Sequence, residues 1–249
     1  MPDRPYRRTV RQLADGSYQH SGNGQYVRHP AWAPDAVHYV GAFLILQKDL
    51  RHLFEYVEPA EGNRETFSYR IHELLTRTCI ECEANLKAIL RANGYPDSGH
   101  LTMRDYKKVE ASHFLSRYRV RWPNWSGVPE ERIPFAAWES DKGLDWYQTY
   151  NTIKHDRHEA FQQATLNALV NAVSGLAVLI SAQFLDETFD KRPGFLALEG
   201  GGDGFETVPG DLIAIRFPDD LPDDERYDFN WSTISSTADP FRDFDYGSV

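Results

Sequence analysis

Apolar residues recur at helical spacing along most of the first 185 positions, and glycine, proline and asparagine break the pattern into separate helices. Pro34 suits a first helical turn. Ala36, Val37, Val40, Phe43, Leu44, Leu50, Leu53, Phe54 and Val57 then follow, mostly three or four apart, with Gln47 interrupting the face. This predicts an amphipathic helix to about residue 57, ended by Gly62 and Asn63. A second helix is predicted over 65–92, with Ile71, Leu74, Leu75, Thr78, Cys82, Leu86 and Ile89 inward and a stop at Asn93-Gly94 before Pro96. A third, over 102–118, has Thr102 as cap and Asp105 in its first turn. Residues 118–145 lose the period and hold Pro123, Gly127, Pro129 and Pro134, with a short strand at 118–122. Asp145 can cap a further helix that bends near Asp156 and passes into an apolar helix over 159–184, the expected centre of a bundle.

Beyond Pro193 the pattern changes to short strands at 196–198, 205–208 and 212–217, with a turn at Pro209-Gly210. The fold class is therefore mainly α: a helical bundle over 34–192, preceded by a basic N-terminal arm over 1–33 and followed by a small β-containing acidic extension over 193–249. The arm is read as mobile or draped over the bundle, and the tail after Asp219 as packed on it through Tyr227, Phe229, Trp231 and Phe241.

Charge sharpens this division. The chain has 249 residues and a net charge of −10, and the segment 199–249 alone, with 13 acids and 3 bases, carries all of it. The body is neutral, so the overall acidity does not argue against nucleic-acid binding by the body. The acidic tail could lie across the basic residues of the body and compete with phosphate, or serve as structural cover.

Two cysteines are too few for a disulfide scaffold, and the N-terminus has no apolar signal segment; a cytoplasmic protein is expected. The longest apolar stretch is interrupted by Asn171, Ser174, Ser181 and Gln183 and is shorter than the roughly 20 apolar residues of a membrane span, so no membrane is expected.

The densest polar chemistry is Tyr150, Asn151, Lys154, His155, Arg157 and His158. In a continuous helix Asn151, Lys154, His155 and His158 fall at i, i+3, i+4 and i+7, on one stripe, with Tyr150 and Arg157 flanking. A histidine can move protons near neutral pH, and a neighbouring lysine or arginine can stabilise charge on a phosphate. A solvated helix face explains the same pattern without chemistry. Elsewhere, Arg117, Arg119 and Arg121 alternate with Tyr118, Val120 and Trp122, which suits either a single-stranded nucleic-acid groove or an edge strand packed by its apolar face. Cys79-x-x-Cys82 lies inside a helix and reads as packing. Glu110 and His113 form a lone Glu-x-x-His pair, so neither metal nor cofactor is called for.

The run Tyr150-Asn151-Thr152-Ile153-Lys154-His155 resembles the signature of the HEPN superfamily, in which an arginine, often followed by a polar residue, precedes a histidine late in a helical bundle. The helix carrying Glu73, Glu81, Glu83 and Lys87 is similar to an early bundle helix of such proteins, and the resemblance spans roughly 35–187. Asn151 and His155 match; Tyr150 stands at the arginine position, and the nearest arginine, Arg157, follows the histidine. The resemblance implies metal-independent RNA cleavage in a bacterial stress or defence setting. His155 would handle the proton, Lys154 or Arg157 the phosphate, and a homodimer would bring two motifs together. The alternative it implies is a degenerate module that dimerises or holds a partner protein.

Overall fold

The computed structural model describes residues 1–96, 99–127, 131–187, 189, 206–207 and 212–249. Helix α1 (Ala36–Phe54) and helix α2 (Tyr69–Ala92) lie where the apolar period places them. Ser68 caps α2, its hydroxyl accepting from the Ile71 amide at 3.2 Å. The expected third helix is two short ones, α3 (Met103–Lys107) and α4 (Glu110–His113). The capping reading holds, since Asp105 accepts from the Thr102 amide at 2.8 Å. The helix stops early because Phe114 is left-handed, with φ 52°, and the following turn is held by Glu110, which accepts from the Ser116 amide at 3.1 Å. Strands β1 (Arg119–Arg121) and β2 (Glu131–Arg132) follow, then helices α5 (Ala136–Glu139), α6 (Asp145–His155) and α7 (Leu166–Phe184). Strands β3 (Glu206–Thr207) and β4 (Ala214–Arg216) and the short helix α8 (Trp231–Ile234) complete the chain. The strand expected at 196–198 and the turn at 209–210 lie outside the described residues.

Helix α7 is the hub, packed by α2, α1 and α6. The apolar helix is shorter than its sequence suggests: it begins only at Thr165, whose hydroxyl accepts from the Ala168 amide at 3.2 Å. It is the one described helix long and apolar enough to cross a membrane, and it is buried inside its own chain. Three of its polar interruptions are docking points, while the Ser181 hydroxyl is buried without a hydrogen-bond partner. Asn171 accepts from Arg132 at 2.7 Å, Ser174 accepts from the Trp122 indole at 3.0 Å, and Gln183 accepts from Arg8 at 2.9 Å while donating to Asn85 at 2.9 Å. Arg132 and Trp122 belong to the sheet region, so these bonds fix the sheet on the hub. The sheet is antiparallel in the order β2-β1-β4-β3, so β1 is an interior strand and not an edge.

The N-terminal arm is draped, and its partner is the tail. The two run side by side through bridges Tyr6–Arg242 and Leu13–Tyr227, with Tyr227 donating to the Gln12 carbonyl and Ala14 to the Tyr227 carbonyl, both at 2.9 Å. Val10 donates to Ala182 at 2.9 Å, which ties this ribbon to the end of α7. Arg11, 1% exposed, has its guanidinium against the rings of Tyr6, Phe114, Tyr227 and Phe244 and donates to the Ser112 carbonyl at 2.8 Å and to Glu225 at 2.5 Å. Beside it Ser112, His113 and Tyr246 form a buried chain. The Ser112 hydroxyl is 2.6 Å from His113 Nδ1 and 2.5 Å from the Tyr246 hydroxyl, and His113 Nε2 is 2.8 Å from the Arg8 carbonyl. The acids of the tail pair mainly with the arm: Asp239 and Asp243 with Arg7, Glu225 with Arg11, and Asp220 with Arg117. The tail is thus structural cover; of the basic residues proposed for nucleic acid, it engages Arg117.

Removing residues 219–249 would uncover the faces that Tyr227, Trp231, Phe241 and Tyr246 bury. The truncated chain should aggregate or melt far below the full chain in a thermal scan; an unchanged melting temperature would contradict this packing. Burial, with Arg11 and Arg8 nearby, pushes His113 down to about 3 from 6.5. The unfolded chain therefore binds the extra proton first, and His113 contributes stability that is complete above about pH 6.5 and declines as pH falls towards 3. Urea unfolding of His113→Gln should show a pH slope flatter by about 1.4 kcal/mol per unit between about pH 6 and 5.

Candidate functional site

Helix α6 is set against the hub by its apolar residues. The Trp146 ring lies so close to Gly175 of α7 that a Cβ there would meet it at 3.0 Å, and its indole donates to the Pro134 carbonyl at 2.9 Å. Tyr147 donates to Glu83 of α2 at 2.7 Å. Tyr150 and Ile153 are buried in the same seam. This rotation leaves Asn151, Lys154 and His155 exposed.

Tyr150, at the arginine position of the motif, is therefore a packing residue. Burial and the neighbouring Glu83 push its hydroxyl up from the usual tyrosine range, and Lys154 places its ammonium 5.2 Å from the ring. Hydrogen bonding to Tyr150 raises Lys154 in turn. Lys154 and His155 occupy the last turn of α6, where cations also complement the helix dipole.

The stripe ends there. Asp156 leaves helical geometry, with φ −136° and ψ 67°, and residues 157–160 form turns. His158 consequently does not stack one turn above Lys154 and His155, as a continuous helix would require. Arg157 and His158 face the start of α2 and line an open groove of about 440 Å³ with Tyr69 and Phe161. The Arg157 guanidinium is 5.7 Å from the Tyr69 ring. Phe161 gathers Tyr69 at 4.6 Å, His72 at 5.7 Å and Phe67 at 5.9 Å between ring centroids. Tyr69 is 71% and Phe67 42% exposed. The segment is pinned where Leu166 donates to the Thr66 carbonyl at 2.8 Å and Asn167 to the Arg64 carbonyl at 2.9 Å. Burial and the Arg157 charge hold His72 below its ordinary value. The exposed Asp156 and Glu159 offset the cations of this turn.

Sequence reading missed this aromatic cluster. The available signal was Phe67, Tyr69 and Phe161 standing outside every inward apolar stripe.

The second basic run lies elsewhere in the structure. Arg119 and Arg121 share the outer face of β1 with Arg216 of β4, all three within 4 Å of Glu131, while Val120 is buried. Arg117 sits in the preceding turn with Asp220. Cys79 and Cys82 are fully buried and their thiols are pushed well up by burial. Glu110 and His113 are committed to Ser116 and Ser112, and among the described residues no cluster suited to a metal ion forms. Compared with protein families, with characterised proteins and with solved structures, the chain finds no match in any of the three.

These placements separate packing from surface residues. Tyr150→Ala should cost about 3–5 kcal/mol in urea unfolding, as for other large buried aromatics. Asn151→Ala and His155→Ala should each stay within about 0.5 kcal/mol of the parent. Comparable losses for all three would mean that α6 faces the other way.

Proposed function

We propose that this protein is a degenerate HEPN-like module that holds single-stranded RNA at the end of α6 without cutting it. The observation that carries this reading is the cluster of exposed Tyr69 and Phe67 on half-buried Phe161, with the Arg157 guanidinium over the Tyr69 ring and His158 lining the same groove. Flat exposed rings beside guanidinium groups bind unstacked bases with little sequence preference, each stacked base contributing about 1–3 kcal/mol. The non-catalytic form is favoured by Tyr150. A buried phenol engaged by Lys154 stands where the motif's phosphate-holding arginine would be. Of the motif, Asn151 and His155 alone remain at the surface in register.

A homodimer belongs to the same reading, with Val37 and Ile45 of α1 and Ile80 of α2 as exposed apolar contacts. Helix α7 takes no part in it, because its own chain already covers it. In this reading the module acts in a bacterial stress or defence setting.

Fluorescence anisotropy with a labelled oligouridine in EDTA should show binding that weakens at least about tenfold in Tyr69→Ala and several-fold in Arg157→Ala, with the RNA intact afterwards. Cleavage lost in His155→Ala would establish the enzymatic alternative. No binding at low salt would refute the RNA reading.

A further inference from the structure

The arm, the end of α7 and the start of the tail enclose a second cavity, independent of the α6 site. Its volume of about 410 Å³ is within the range that holds small molecules. Tyr18, Phe217, Pro218 and Leu185 form its apolar wall, and His20, Asp186 and Asp219 its polar rim. Hydrogen bonds clamp arm to tail across it. The Gln12 amide donates to the Gly16 carbonyl at 2.9 Å and to the Asp219 carbonyl at 3.2 Å, and the Tyr18 hydroxyl donates to the Pro218 carbonyl at 2.7 Å. The Tyr18 and Phe217 rings meet with centroids 4.9 Å apart. The third side comes from Leu185, where the chain leaves α7 with φ 56°, a conformation uncommon for a leucine. The walls are therefore fixed before a ligand arrives, which lowers the ordering cost of binding.

The rim is made of acceptors. Asp186 and Asp219 are exposed there. Asp186 accepts from the neutral Gln19 amide at 3.3 Å, and among the described residues neither carboxylate has an ion-pair partner. Arg216, the permanent cation in the lining, reaches Glu131 at 3.9 Å on the outer face of the sheet. Burial foremost, then Tyr26 and the Asp219 and Asp220 charges, push the Tyr18 hydroxyl above the usual tyrosine range, so the field of Asp219 reaches the apolar wall. His20 is oriented by Asp15, which is bonded to its Nδ1 and also accepts from the Ser17 amide at 3.0 Å and the Ser17 hydroxyl at 2.8 Å. The Ser17 bonds hold Asp15 below the usual carboxylate range. An ionised carboxylate only accepts, so Nδ1 carries the proton and Nε2 of the neutral ring is an acceptor.

We infer that this cavity binds a small primary amine that carries a flat aromatic body. The ring lies against Tyr18, Phe217 and Leu185, the ammonium is met by Asp186 and Asp219, and His20 Nε2 takes a further N–H. Hydrogen bonds between ionised partners are the stronger class. A carboxylate of the same shape would meet two like charges, and an alcohol would leave both acids without a counter-charge.

The test is a titration of the full-length, isotope-labelled protein with phenethylamine, phenethyl alcohol and phenylacetate, which share a phenyl ring on a short chain. It is followed by the amide NMR shifts of Gly16, Tyr18, Asp186 and Phe217. Saturable shifts at these positions with phenethylamine are expected, with binding at least about tenfold weaker for the alcohol and no saturation with phenylacetate. The double variant Asp186→Asn/Asp219→Asn keeps side-chain size and the backbone contacts. It should retain the parent melting temperature and lose about tenfold or more in affinity for the amine. The comparison of the three probes uses the parent protein and decides even where the variant is unstable. Absence of saturable shifts with phenethylamine, equal binding of the alcohol or of phenylacetate, or unchanged affinity in the folded double variant would overturn the proposal.

Discussion

The guanidinium of Arg11 is buried among four aromatic rings, and its hydrogen bonds join three separate parts of the chain. The arm supplies Arg11, the end of α4 supplies the Ser112 carbonyl, and the tail supplies Glu225. A buried charge tolerates no loose neighbour, because any lost acceptor leaves an uncompensated cation in a poorly solvated place. The ends of the chain are therefore locked to each other and to the bundle. The ribbon they form sets Arg8 against Gln183 and His113 against the Arg8 carbonyl.

Much of the helical architecture was legible in the apolar period, because α1 and α2 each bury one face and expose the other. Helix α7 was legible as a buried helix, although its start was read too early. The residues ahead of Thr165 are polar enough to turn, and the capping hydroxyl of Thr165 decides the boundary. The polar residues of α7 looked like interruptions of a hydrophobic surface. Their partners, Arg132, Trp122 and Arg8, are distant in sequence, and no local pattern announces such pairs. The same reason hid the interlocking of arm and tail: Leu13 and Tyr227 are brought together by burial that periodicity does not encode.

At the candidate site, sequence spacing placed Asn151, Lys154 and His155 correctly on α6 and failed beyond His155, and Asp145, read as the cap, is the first helical residue after Leu144. A stripe argument assumes a continuous helix, and Asp156 ends it. Tyr150 was legible as a departure from the motif, but its burial against α2 was not, since it depends on how Trp146 seats on Gly175. The aromatic cluster at Phe67, Tyr69 and Phe161 joins two segments almost a hundred residues apart, and a reading confined to single elements could not assemble it.

The central claim is that arm, tail and bundle form one cooperative unit. Native-state hydrogen exchange tests it directly at the Val10, Ala14 and Tyr227 amides, which donate to Ala182, Tyr227 and Gln12. If the lock holds the fold together, these three amides should exchange only by global unfolding, with the same free energy and denaturant dependence as the central amides of α7. Exchange of the three through a low-energy opening that leaves α7 protected would show that the ends are an accessory layer, and would contradict the account.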